Sequence, residues 1–248
     1  MEQPYEILLS GPGKNAMSST MLRWLEAELE RAEGRAVMVH GTGDAFSAGL
    51  DLKEIATLAA DPPAMLEFLR ALERTMVAYY TYPGPVVACV NGHAIAGGCV
   101  LMLCADYRIA QASAKTKIGI NEVALGFEFP PHILQIVRDR VPPRSRERVF
   151  LAAELFGVED AMKHGLIDEI ADDALAFARK RASELAALPR KAYQATKRAI
   201  RATLVAPGEQ DRQLREALAA WTSTDVRARV LAHLDRVKGT APTKVNRT

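Results

Sequence analysis

Two short apolar runs each empty into a loop with almost no bulky side chains and then into a helix, and this repetition limits the possible folds more than any other feature. The first run spans residues 35–40 and carries Ala36-Val37-Met38-Val39. It meets the turn Gly41-Thr42-Gly43-Asp44 and the loop Asp44-Ala45-Phe46-Ser47-Ala48-Gly49-Leu50-Asp51. The second run, residues 86–90, leads into Asn91-Gly92-His93-Ala94-Ile95-Ala96-Gly97-Gly98. A brief apolar stretch bounded by turn residues reads as a buried strand. Loops of small residues let backbone N–H groups come close to a ligand, because few side chains stand in the way. Where such a loop enters a helix, free N–H groups and the helix dipole both favour negative charge.

The rest of the chain fits around these units. Residues 6–9 form a short apolar run that predicts a strand, and Ser18 or Ser19 can cap a helix with Leu22, Leu25 and Leu29 at helical spacing. A second helix is predicted over 63–80, with Met65, Leu66, Leu69, Leu72, Met76 and Tyr79 on its apolar side, ended by Pro83-Gly84-Pro85. A compact apolar helix opens at Gly97-Gly98 and runs through Cys104; residues 108–110 and 117–119 read as further strands. After Pro142-Pro143 the pattern is helical almost throughout, with segments near 144–153, 159–164, 173–187, 190–204, 209–220 and 225–237. Strands alternating with helices, then a run of helices, predict an α/β fold with a helical C-terminal part. Residues 239–248 read as a flexible tail.

Composition excludes several classes of function. The formal net charge is +2, from 32 basic and 30 acidic residues, which gives no electrostatic case for a nucleic-acid binder. Every long apolar run is interrupted by Asn, Arg or Pro, so no membrane span is expected. The first residues, Met1-Glu2-Gln3-Pro4-Tyr5, lack the pattern of a secretory signal, and a cytoplasmic protein is expected. Cys89, Cys99 and Cys104 are odd in number and lie in apolar segments, which predicts reduced core thiols. No GxGxxG or GxxxxGKS/T pattern and no zinc-ligand spacing is present. His40, Ser47 and Asp51 have no spacing that makes a nucleophilic triad.

The two loops, together with an acidic residue in Ile118-Gly119-Ile120-Asn121-Glu122-Val123-Ala124-Leu125-Gly126, make a more specific pattern than any one of them. Phe46-Ser47-Ala48-Gly49-Leu50-Asp51-Leu52-Lys53-Glu54-Ile55 resembles the first oxyanion loop of the crotonase (enoyl-CoA hydratase/isomerase) superfamily, and Asn91 through Val100 resembles the second. The Gly119-Ile120-Asn121-Glu122 segment is similar to the one bearing a catalytic glutamate. Ala161-Met162-Lys163-His164-Gly165-Leu166-Ile167-Asp168 matches a turn usual in that family.

The resemblance, over about residues 13–238, implies a spiral of ββα turns in 1–190, a helical trimerisation region in 191–238, and a homotrimer or dimer of trimers. It implies an acyl-CoA thioester substrate, with no cofactor beyond the coenzyme A of the substrate itself. The backbone N–H groups of Leu50 and Gly97 are implied as donors to the thioester oxygen, and Glu122 as the catalytic base. Ala48, Asp51, Lys53, His233 and Arg236 are implied in substrate or CoA binding. Lys53 alternatively stays solvated, and His233 and Arg236, matching positions often supplied by a neighbouring subunit, alternatively form a helical surface face.

One departure bears on the chemistry. Hydratases of the family carry a second glutamate two residues after the Gly-Gly pair, and this chain has Val100 there. An isopropyl group cannot orient or activate water. A lone carboxylate can still take a proton from C2 of an enolised thioester and return it at C4. With its Asn-Glu pair the chain most resembles the mitochondrial-type Δ3,Δ2-enoyl-CoA isomerases. Another crotonase reaction (hydration, thioester hydrolysis or decarboxylation) and non-catalytic acyl-CoA binding remain the alternatives. Glu128 is read either as a surface charge or as a second acid near the pocket, and His93 and His132 as hydrogen-bonded structure.

Overall fold

The computed structural model describes residues 3–202 and 207–239. After β1 (Tyr5–Leu9), an irregular turn α1 (Pro12–Asn15) and α2 (Ser19–Ala32), the chain repeats strand, strand, helix three times. The first repeat is β2 (Val37–Gly41), β3 (Ala45–Ser47), α3 (Leu52–Leu58) and α4 (Pro62–Thr81). The second is β4 (Val86–Val90), β5 (His93–Ile95) and α5 (Gly97–Leu103). The third is β6 (Tyr107–Gln111), β7 (Ile118–Gly119), α6 (Glu122–Leu125) and α7 (Pro131–Arg140). The leading strand of each repeat joins a parallel sheet of order β1-β2-β4-β6-β8, and the second joins a smaller parallel sheet, β3-β5-β7. A 3-10 turn, Pro143–Ser145, then leads to α8 (Arg146–Phe150), α9 (Val158–Lys163), β8 (Glu169–Ala171) and α10 (Ala174–Ala186). The chain finishes with α11 (Arg190–Ile200), α12 (Pro207–Trp221) and α13 (Thr224–Gly239).

Strand alternation explains why the leading strands read as unbroken apolar runs. Val37, Val39, Val86, Ala88 and Val90 face the main core, while Met38, Val87, Cys89 and Ile109 face α10. Ala174, Ala178 and Ala182, one turn apart on α10, are buried against that second face, and their small side chains let the helix lie close. All three cysteines are buried and free, and burial pushes the Cys89 thiol up to about 12, as reduced core thiols should behave. The Gly165-to-Asp168 turn has a structural purpose. Gly165 takes φ +73 beside Pro142, and Asp168 holds buried Arg108 through contacts of 2.6 and 2.8 Å.

Polar anchoring begins the C-terminal part. Lys197 of α11 and Arg201, just past its end, each reach Asp106 at 2.7 Å, and Lys197 also donates to Gly84 O. Helix α12 packs on α4 and α7, and α13 on α3 and α6. Leu214, Trp221, Val226 and Val230 are therefore buried within the same subunit, with Leu218 and Leu234 packed beside them. Among the described residues no helix is long and apolar enough to cross a membrane. From residue 240 onward the expected tail lies outside the described residues, as do positions 203 and 204 of the helix expected over 190–204.

Candidate active site

The small sheet positions everything that follows. Its three strands are parallel, so the segments after β3, β5 and β7 leave from one edge, where α/β sheets commonly hold ligands. Those segments are residues 48–51, 96–98 and 120–122, which carry both small-residue loops and Glu122.

A strap at residues 14–17 fixes the first loop. Met17 N–H donates to Gly49 O at 2.7 Å, and Asp51 N–H donates back to Met17 O at 3.0 Å. In a trans peptide the C=O and N–H point in opposite directions. With Gly49 O turned to Met17, the N–H of Leu50 is aimed the other way, and among the described residues it finds no acceptor. Buried Asn15 ties the strap down, its amide donating to Thr42 O and Ala45 O. The Ser47 hydroxyl donates to Asn15 O and accepts from Gly49 N–H, which occupies it structurally and removes it as a nucleophile. Sequence reading missed the strap. The only signal was an Asn beside Gly11-Pro12-Gly13, a common turn composition.

The second loop meets the first without a gap. Ala96 adopts φ 51, ψ −127, a conformation costly for a residue with a Cβ, and its N–H is held by Gly119 O at 2.9 Å. Ala96 O accepts from Val100 N–H to start α5, so the Gly97 N–H points out of the helix end, again with no acceptor among the described residues. A Cβ on Gly98 would lie 2.3 Å from Ser47 O, and one on Gly49, at φ +97, would lie 2.9 Å from Ile95 O. Glycine at both positions lets the two loops approach this closely.

These groups border a cavity of about 200 Å³. Ala48, Leu50, Ala96, Gly97, Val100, Asn121 and Glu122 line one part of it. Leu72, Met76, Phe127, Phe129, Ile133 and Trp221 line the apolar remainder. Trp221 of α12 stacks on Phe127 with ring centroids 4.3 Å apart and donates its indole N–H to Glu128 O at 2.8 Å. Sequence reading assigned Trp221 only to an apolar helix face. Although Glu122 retains some surface exposure, its Oε2 is sealed from solvent and has no hydrogen-bond partner. Burial raises its pKa from 4.5 to about 7, and nearby backbone N–H groups of Glu122 and Asn121 only partly offset this. A carboxyl tuned to that value can accept a proton and give it back near neutral pH. Val100 is buried in the cavity wall, where it offers no polar group.

The remaining expected residues divide. Ala48 and His233 line the cavity, His233 from the chain's own last helix. Asp51 does not line it: its carboxylate caps α3, accepting from Lys53 N–H at 2.9 Å and Glu54 N–H at 3.4 Å. Lys53 and Arg236 are exposed and outside the cavity lining. Glu128 is exposed yet lines the cavity, which joins the two readings of it. His93 accepts from Lys117 N–H through Nδ1, and the His132 N–H donates to buried Glu73, so both contribute to hydrogen-bonded structure. Among the described residues no cluster of His, Cys, Asp or Glu could hold a metal ion.

The chain is also similar to known proteins in sequence and in fold. A family model described as enoyl-CoA hydratase/isomerase matches residues 5–238. The chain is 30% identical to the mouse mitochondrial enoyl-CoA delta isomerase 1 over 200 residues, covering 78% of this chain and 68% of that protein. It is 34% identical over 207 residues to a probable enoyl-CoA hydratase of Mycobacterium tuberculosis, covering 82% and 79%. The crystal structure of human mitochondrial delta3-delta2-enoyl-CoA isomerase superposes with a TM-score of 0.86 at 25% identity, covering 95% of both chains.

Proposed function

The chain belongs to the enoyl-CoA hydratase/isomerase family and has its fold, and from that premise we propose that it shifts the double bond of a 3-enoyl-CoA to the trans-2 position. The observation that carries the proposal is a cavity with two unpaired backbone donors, one carboxyl of raised pKa, and Val100 where a second carboxylate would be needed. In this reading the thioester oxygen sits on the N–H groups of Leu50 and Gly97. Glu122 removes a C2 proton, and the electron pair moves into an extended enolate whose charge rests on that oxygen. Each fixed donor of this kind is worth about 3 kcal/mol at the transition state. The protonated Glu122 then returns its proton at C4, leaving the double bond between C2 and C3. Ala48 borders the thioester, the apolar wall takes the acyl chain, and His233 closes the opening from α13. Lys53 and Arg236, both exposed, are assigned to the coenzyme A nucleotide outside the cavity. Assembly into trimers or hexamers belongs to the same proposal.

Relatives of similar identity bear both isomerase and hydratase names, so the test compares the two reactions. The protein is given a 3-enoyl-CoA and, separately, a trans-2-enoyl-CoA in water. Rapid conversion of the first with negligible 3-hydroxyacyl-CoA from the second is expected. Fast hydration would overturn the proposal and turn attention to Glu128 as the second acid.

A further inference from the structure

Asn121 has no structural reason to be asparagine. It stands immediately before α6, yet its side chain makes no capping hydrogen bond. Its φ is −126, so the left-handed conformation that often selects asparagine is not adopted. Its Oδ1 is sealed from solvent with no partner, and leaving a buried amide oxygen unmade is costly. The adjacent residue, Glu122, has the same defect at Oε2, and both side chains line the one cavity. These are two acceptors on consecutive residues, each without a donor, and the carboxamide is the group of the pair that can supply one. A carboxamide carries its acceptor and its two donors on a single rotor, so a half-turn about χ2 presents Nδ2–H where Oδ1 had been.

We infer that Asn121 is a positioning residue: its amide donates to Oε2 of Glu122, holding that oxygen while the carboxyl's other oxygen exchanges the proton between C2 and C4. The assignment rests on the isomerase reading for the C4 step alone; fixing the base for C2 requires only the family's enolate chemistry. Should Oε2 itself carry the proton between the two steps, the opposite amide orientation accepts from it, so either protonation state of Glu122 finds a partner. The other titratable groups about the base are Cys99, buried on α5, and Glu128 and His233 at the cavity.

Asn121→Leu keeps the shape and removes both kinds of hydrogen bond. It should lower kcat for a 3-enoyl-CoA tenfold or more while KM stays within about threefold, because the thioester contacts are elsewhere. The acidic limb of its kcat/KM profile should move to higher pH, since the carboxylate loses a donor and gains an apolar neighbour. Asn121→Asp, nearly isosteric and polar, is the second variant. A like charge beside Glu122 should push the same limb up by about one unit or more. All three proteins are also assayed for exchange of the C2 hydrogens of butanoyl-CoA with D2O, which needs only the base and the two N–H donors. A parent that exchanges C2–H but does not isomerise would end the isomerase reading and leave this test intact. Kinetic profiles of both variants that coincide with the parent's, or a KM that rises as far as kcat falls, would overturn the role of Asn121.

Discussion

Replacing Glu122 by glutamine should make the protein more stable and far less active, with the gain in stability confined to one pH range. The cavity raises the carboxyl from 4.5 to about 7. At 1.36 kcal/mol per unit, holding the charged form there costs roughly 3 kcal/mol. The sign follows from proton binding. Between pH 4.5 and 7 the folded protein holds a proton on Glu122 that the unfolded chain has released. Stability contributed by this position therefore falls as pH rises through that interval and is flat above it. Glutamine carries no charge at any pH, so Glu122→Gln should recover about 3 kcal/mol at pH 8 and almost nothing at pH 4.5. In a chain of this size that is roughly 6–12 °C in Tm. Isomerase kcat should drop about 10²–10⁴-fold, the usual contribution of one acid–base group. Parallel melts of parent and variant across pH 4.5–8, with kcat on a 3-enoyl-CoA, make the test. A Tm difference that does not grow between pH 4.5 and 8, or undiminished turnover, would refute the reasoning.

Gly98→Ala places a methyl group 2.3 Å from Ser47 O and must push the two loops apart, so kcat/KM should fall at least about tenfold in a steady-state assay. Trp221→Ala removes a buried side chain worth about 3–5 kcal/mol and enlarges the cavity; melts should show the loss, and a series of acyl lengths should shift toward longer chains. Asp168→Ala leaves buried Arg108 without its carboxylate, costing about 3–5 kcal/mol in a denaturation curve, while kcat of the folded protein stays near the parent's because the pair lies outside the cavity.

The leading strands were legible in the sequence because their burial on two faces leaves continuous apolar runs, and α2 and α4 because their heptad-like spacing is long enough to read. Of the small sheet only β7 was, as the run 117–119. Three residues carry no periodicity, and β3 and β5 exist because of their partners, not their own propensity. Helix α3 was lost for a related reason: it follows the loop directly, and its cap, Asp51, was read as a substrate contact. The loops and Glu122 were recognisable as a pattern of residues, but the strap that aims the Leu50 N–H was not, since its bonds are made by backbone atoms far apart in the chain. Trp221 was placed on an apolar helix face, and only the folded chain shows that this face closes the cavity.

The parallel pairing of β3, β5 and β7 also governs when the protein becomes competent during refolding. Each neighbour in that sheet comes from a different ββα turn, so no local stretch of chain can assemble the site by itself. Loop-closure entropy must be overcome before such contacts reward the chain, which places them late. Helical signal should return while the two free N–H groups are still apart. Ligand binding and turnover should return only with the slowest structural phase, which makes catalysis a reporter on the last registration of the three turns.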